Sequence, residues 1–134
     1  MTTLLDANIL IAVLKHDDAH HERVMAFLAT NTDSLCVPAL SLAEAMVNQV
    51  RAGRGQQSYD AVLAMGTQVL PGELVAPLEL ARTRVETGLR MPDCVVLASA
   101  QAVNAKLATT DARLARAAKQ AGVVLASVSE ALSG

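Results

Sequence analysis

Thr3-Leu4-Leu5-Asp6-Ala7-Asn8-Ile9-Leu10-Ile11 opens the chain with a short apolar run, then an acid, then residues of helical period. Thr3-Leu4-Leu5 suits a strand buried in a parallel sheet, where strands read as continuous apolar runs. Asn8 to Lys15 then reads as helix. The same succession recurs twice downstream. Ser34 to Val37 reads as a strand, and Pro38 then opens a helix running to about Ala52, ended by Gly53 and Gly55. Lys106 to Thr109 reads as a strand, with a helix from Asp111 to Ala121 behind it. Strands that alternate with longer helical segments predict an α/β fold around a parallel sheet.

The segments between these units fit the same plan. Ala19 to Thr30 is helical, with His20, Val24, Phe27 and Leu28 on one face, and Asp17-Asp18 marks the break before it. Gln56 to Gln68 is a further helix with Tyr59, Val62, Leu63 and Gly66 sharing a face. The Pro71-Gly72 turn splits the apolar run from Val69 to Val75, which predicts a short edge strand there. Pro77 to Gly88 returns to helix. Pro92 to Asn104 is apolar on most sides and predicts a central helix buried between sheet and neighbours. Gly122 to Ala126 reads as a final buried strand, and Ser127 to Gly134 as a short helical turn.

At 134 residues the chain is long enough for one domain, residues 1–134, with a core that needs no staples. Hydrophobic residues make up 52% against 18% charged, and the mean hydropathy is +0.35, which excludes a disordered chain. Phe27 and Tyr59 are the only Phe, Tyr or Trp residues, so a surface that stacks successive bases on aromatic rings is excluded too. A net charge of -2 supplies no global basic field. Cys36 and Cys94 lie far apart in apolar stretches, which predicts buried free thiols and a cytoplasmic protein. The first residues have no basic region before an apolar run, and no stretch approaches the roughly 18 uninterrupted apolar residues of a membrane span, so neither export nor insertion is expected.

Of 13 acidic residues, four take similar places in this map. Asp6 follows the first strand, Glu44 lies in the first turns of the helix after the second, Asp93 opens the central helix, and Asp111 follows the Lys106 to Thr109 strand. Each has an ordinary structural role available. Asp6 and Asp111 suit helix caps, Ser41-Leu42-Ala43-Glu44 has the pattern of a capping box, and Asp93 after Pro92 is a first-turn charge. Yet helix N-termini and strand C-termini share one edge of a parallel sheet, where α/β proteins bind ligands, so the four are expected to converge. Carboxylates about 4 Å apart repel by roughly 4 kcal/mol per pair at an effective dielectric of 20, so such a cluster calls for a cation or shifted pKa values. Oxygen-only donors match Mg²⁺ or Mn²⁺ rather than zinc. His16, His20, His21 and the two cysteines show no zinc-ligand spacing.

Four motifs in order carry a family resemblance: Leu5-Asp6-Ala7-Asn8-Ile9-Leu10-Ile11, Ser41-Leu42-Ala43-Glu44, Pro92-Asp93-Cys94-Val95-Val96-Leu97-Ala98 and Ala108-Thr109-Thr110-Asp111. Together they resemble the successive motifs of PIN-domain ribonucleases, particularly the VapC-type toxins of bacterial toxin–antitoxin pairs. The resemblance implies a three-layer α/β/α sandwich in which Asp6, Glu44, Asp93 and Asp111 gather around Mg²⁺ or Mn²⁺ and hydrolyse RNA phosphodiesters. Asn8 and Thr109 carry over as polar supports. It further implies transfer RNA or another structured RNA as substrate, and a small antitoxin whose helix fills an apolar groove. Helices with Ala-, Val- and Leu-rich faces on so apolar a chain predict self-association, with a two-fold dimer as the default. Arg90-Met91-Pro92 departs from the pattern, since the family more often has a small or aromatic residue there and no fixed proline.

Two other readings compete. A receiver domain of two-component signalling has similar length and an acid cluster, but this chain lacks an acidic pair after strand one and a lysine after a late strand. A non-catalytic PIN-like module that binds RNA or protein is the alternative from another class. Arg51, Arg54, Arg82, Arg84 and Arg90 are candidates for a phosphate-binding rim, or plain solvated charges on amphipathic helices.

Overall fold

The structure is a computed structural model, and it describes residues 1–133. Four parallel strands form its sheet: β1 (Thr2–Leu5), β2 (Ser34–Pro38), β3 (Gln68–Leu70) and β4 (Lys106–Ala108), in the spatial order β3-β2-β1-β4. Leu4 is in register with Cys36 on one side and with Leu107 on the other, so β1 is central. Helices α1 (Ala7–Leu14) and α2 (His21–Thr30) connect β1 to β2, and α3 (Ala39–Arg51) and α4 (Gly55–Ala64) connect β2 to β3. A 3-10 turn (Gly72–Leu74), α5 (Pro77–Thr87) and α6 (Met91–Ala102) then carry the chain back past β1 to β4. Helices α7 (Ala112–Gln120) and α8 (Ser127–Ser133) follow.

The two-residue period of a strand divides the apolar residues between two cores. Leu4, Cys36 and Leu107 face one side of the sheet, where Leu97 and Ala100 of α6 and Leu114 and Ala118 of α7 cover them. Their chain neighbours Leu5, Val37 and Ala108 face the other side, with Ile9, Val24, Leu42 and Val62 from α1 to α4. The result is the three-layer α/β/α sandwich around a central parallel sheet. Alanine at positions 98 and 100 of α6, both buried, lets that helix lie close to its neighbours. Cys36 and Cys94 are buried free thiols, as the sequence led us to expect.

Three boundaries differ from the sequence reading. The helix placed at Gln56 to Gln68 ends at Ala64, because Gly66 adopts a left-handed backbone (φ 82°) and turns the chain into β3. The edge strand is consequently Gln68–Leu70, ahead of the Pro71-Gly72 turn rather than spanning it. Gly122 to Ala126 forms no strand beyond an isolated bridge, Leu107 to Leu125. Leu107 N–H donates to Val124 O (2.9 Å) and Ala126 N–H to Leu107 O (2.8 Å), after which α8 begins at Ser127 and ends the pairing. Those bonds cover the outer edge of β4. The helical tail read as Ser127 to Gly134 is α8 as far as Ser133, and Gly134 lies outside the described residues. Among the described residues, no helix is long and apolar enough to cross a membrane.

Candidate functional site: an acidic cavity at the switch point of the sheet

The chain leaves β1 toward β2 on one side, whereas β4 lies on the other, so the crevice beyond the C-terminal ends of β1 and β4 is the topological switch point. Asp6 stands at the end of β1 and caps α1, its Oδ1 accepting from Ile9 N–H (3.1 Å). Thr109, completely buried just beyond β4, donates its hydroxyl to Asp6 Oδ2. The same Thr109 oxygen accepts from Asp111 N–H (3.0 Å), and Asp111 Oδ1 caps α7 by accepting from Arg113 N–H (2.9 Å) and Leu114 N–H (3.2 Å). Thr109 therefore ties the two strand-end acids together. In this crevice, capping is the means by which the backbone aims both carboxylates.

Glu44 and Asp93 arrive from the helices on either side. Asp93 is in the first turn of α6, as read. The capping box at Ser41 to Glu44 does not form, because α3 starts earlier, at Ala39 with Pro38 as its N-cap, and Glu44 falls in its second turn. Asp6, Glu44, Asp93 and Asp111 all line one cavity of about 170 Å³, with Arg90 at its rim. Asn8 lines it as well. Arg51, Arg54, Arg82 and Arg84 do not. Arg84 instead donates to the carbonyls of Gly88 (2.6 Å) and Leu89 (2.9 Å), Arg82 pairs with Glu79, and Arg51 donates to Asn48 Oδ1 (3.1 Å).

The electrostatics match the crowding. Burial pushes the Asp6 carboxyl up to about 6, against the hydrogen bonds from Thr109 and Ile9 and with the help of the charges on Asp111 and Asp93. Desolvation also raises Asp93, reinforced by Asp111 and opposed by Arg90 and Arg113. Glu44 is raised by desolvation and by Asp93, and again opposed by Arg90. Asp111 thus acts on Asp6 and Asp93, and Asp93 acts on Asp6 and Glu44.

Ser41 is the site residue that sequence reasoning missed. It is 1% exposed, lines the same cavity, and its Oγ has no hydrogen-bond partner. Its spacing of one helical turn before Glu44 was the available signal, there read as a cap. An unpartnered buried hydroxyl costs about 1–3 kcal/mol. Ser41→Ala is therefore expected to leave the stability of the metal-free protein unchanged or to raise it, as read by urea denaturation; a clear loss would mean that the hydroxyl is satisfied.

The residues suit a hard divalent cation. Every charged donor is a carboxylate, the cavity has room for an ion with its waters, and Ser41 Oγ is free to bond one of them. Among the described residues no three side chains are already drawn in to hold a metal in common.

An α/β sandwich with acids from four elements at its switch point defines the class. The chain belongs to the PIN domain family, whose model matches residues 3–120. No curated protein matches it significantly. Among solved structures it is similar to a toxin–antitoxin complex from Klebsiella pneumoniae, with 23% identity, TM-score 0.69, and 81% of this chain and 86% of that one covered. It is also similar to VapBC-1 from nontypeable Haemophilus influenzae (24% identity, TM-score 0.63, 93% and 96% covered). VapBC2 from Rickettsia felis, bound to a DNA fragment from its promoter, matches at 16% identity and TM-score 0.67, with 93% and 97% covered.

Proposed function

We propose that residues 1–134 form one nuclease domain, a metal-dependent endoribonuclease that acts in the cytoplasm as the VapC-type toxin of a type II toxin–antitoxin pair. The observation that carries this reading is that Asp6, Glu44, Asp93 and Asp111 line one cavity. Membership of the PIN domain family and the likeness to toxin–antitoxin complexes support it.

In this reading the four carboxylates hold Mg²⁺ or Mn²⁺. The ion, when bound, offsets charge on the phosphoryl oxygens and lowers the pKa of a water. The protein supplies the geometry. Thr109 and Ile9 lock the Asp6 carboxylate in place, and the α7 amides lock that of Asp111, so neither acid reorganises when substrate arrives. Glu44 and Asp93 close the cavity from α3 and α6. Asn8 at the start of α1 is a polar support on its wall. Structured RNA, transfer RNA included, is the substrate class.

The partners are a small antitoxin and a second copy of the chain. Apolar side chains left in solvent on α3 and α5 supply surface for both: Val50 is 63% exposed, Leu78 61% and Val85 85%. A panel of RNAs incubated with the protein in Mg²⁺ and in EDTA, scored for binding and for cleavage, tests the enzymatic reading. Cleavage in Mg²⁺ alone is expected. Binding without cleavage in either condition would replace the enzyme with a PIN-like binding module.

A further inference from the structure

Carboxylates repel the backbone of RNA, so some group beside the acidic cavity must hold the strand against that repulsion. The cavity has one cationic side chain, Arg90, whose guanidinium has no hydrogen-bonded partner among the described residues. A second cavity of about 320 Å³ shares Asn8 and Asp111 with the first and is lined by Asp18 as well. His20 lines it. The other two histidines are occupied elsewhere: His21 Nδ1 is 2.6 Å from Ala12 O, and the rings of His16 and His21 lie against each other, 5.0 Å between centroids. The His20 ring makes no hydrogen bond among the described residues, while its backbone N–H donates to Asp18 Oδ1 (2.8 Å). Phe27 and Tyr59 line neither cavity, so His20 carries the single aromatic ring lining the two cavities among the described residues.

We propose that single-stranded RNA crosses the acidic cluster between two anchors, Arg90 on one side and His20 on the other, each donating a hydrogen bond to a phosphate that flanks the scissile one. This rests on the nuclease reading above and extends it to the path of the substrate. Guanidinium and imidazole N–H groups both bond phosphate oxygens without reading a base. Two anchors on opposite sides fix the strand so that the phosphate between them sits over the four acids. His20 and Arg90 are positioning residues in this account and take no part in the chemistry.

The test uses a fluorescently labelled oligoribonucleotide of mixed sequence. Its binding is measured by anisotropy in EDTA, and its cleavage in Mg²⁺, for the wild type, His20→Ala, Arg90→Ala and Arg90→Lys. His20→Ala and Arg90→Ala are each expected to raise Kd and KM roughly tenfold, which is the weight of one charge-assisted or neutral hydrogen bond to phosphate. For His20→Ala, kcat and the rise of Tm on adding Mg²⁺ stay near those of the wild type, which shows the acids undisturbed. Arg90→Ala also lowers the slope of log K against log salt by about 0.7, the contribution of one single-strand phosphate contact, and Arg90→Lys restores it. A wild type that binds and cuts while both alanine variants match it in Kd and KM overturns the two-anchor path and leaves the nuclease standing. A wild type that neither binds nor cuts the oligoribonucleotide also overturns the single-stranded path, while the nuclease reading is decided on the structured-RNA panel.

Discussion

Asp6→Asn is expected to abolish cleavage while making the metal-free protein more stable at neutral pH. The carboxyl has an unfolded pKa near 3.8 and a folded one of about 6, so the folded state holds its proton more tightly. The sign follows directly. Stability from this group is fully present below pH 3.8 and is lost as the pH rises through 6, by about 3 kcal/mol in all. Asparagine keeps the oxygen that caps α1 and puts an amide nitrogen toward Thr109, whose hydroxyl can accept but loses its own acceptor, which offsets part of the gain from removing the charge. Urea denaturation in EDTA at a series of pH values reads the difference. The variant should exceed the wild type by up to about 3 kcal/mol above pH 6 and lose that advantage near pH 4. Equal stabilities across the range would mean that Asp6 is not held against its charge. Cleavage by the variant should fall at least about 100-fold, since even groups that only support a metal ligand are worth 10- to 100-fold.

Asp93→Asn gives the second large effect, on the response to metal. A ligand that binds only the folded state stabilises it by about 2.7 kcal/mol at a hundredfold excess over its Kd, on the order of 10 °C in Tm for a chain of this size. The wild type is expected to show that rise between EDTA and saturating Mg²⁺, and the variant to stay nearly flat. In EDTA the variant should melt at or above the wild type, because the repulsion between Asp93 and its neighbours Asp111 and Glu44 is gone. A first-turn carboxylate that served only the helix dipole would behave differently. Its loss would cost up to about 1 kcal/mol, alike with and without metal.

The strand and helix pattern was legible because a parallel sheet buries both faces of its strands, so Thr3-Leu4-Leu5 and Lys106 to Thr109 stand out as short strand-like runs between amphipathic segments. What misled at Gln56 to Gln68 was a helical apolar face that runs past Gly66, where the left-handed backbone overrides it. Gly122 to Ala126 has strand composition, but composition cannot show that α8 begins at Ser127 and leaves room for a single bridge. The acids were legible by their places at strand ends and helix starts. Capping and convergence were posed as rivals from sequence, whereas at Asp6 and Asp111 the cap is what directs the carboxylate into the cavity. Ser41 was legible only as a cap one turn before Glu44, and α3 starting at Ala39 with Pro38 as its N-cap rules that cap out. His20 was hidden, since what singles it out is a second cavity sharing Asn8 and Asp111 with the acids.

Whether the four acids cut RNA by way of a divalent cation is decided most directly by one assay. Purified wild type and Asp6→Asn are incubated with structured RNA in Mg²⁺ and in EDTA, and the products are resolved on a denaturing gel. Fragments from the wild type in Mg²⁺ alone, with none in EDTA and none from Asp6→Asn in either condition, are the predicted result. Cleavage that persists in EDTA, or that Asp6→Asn performs as well as the wild type, would contradict the account.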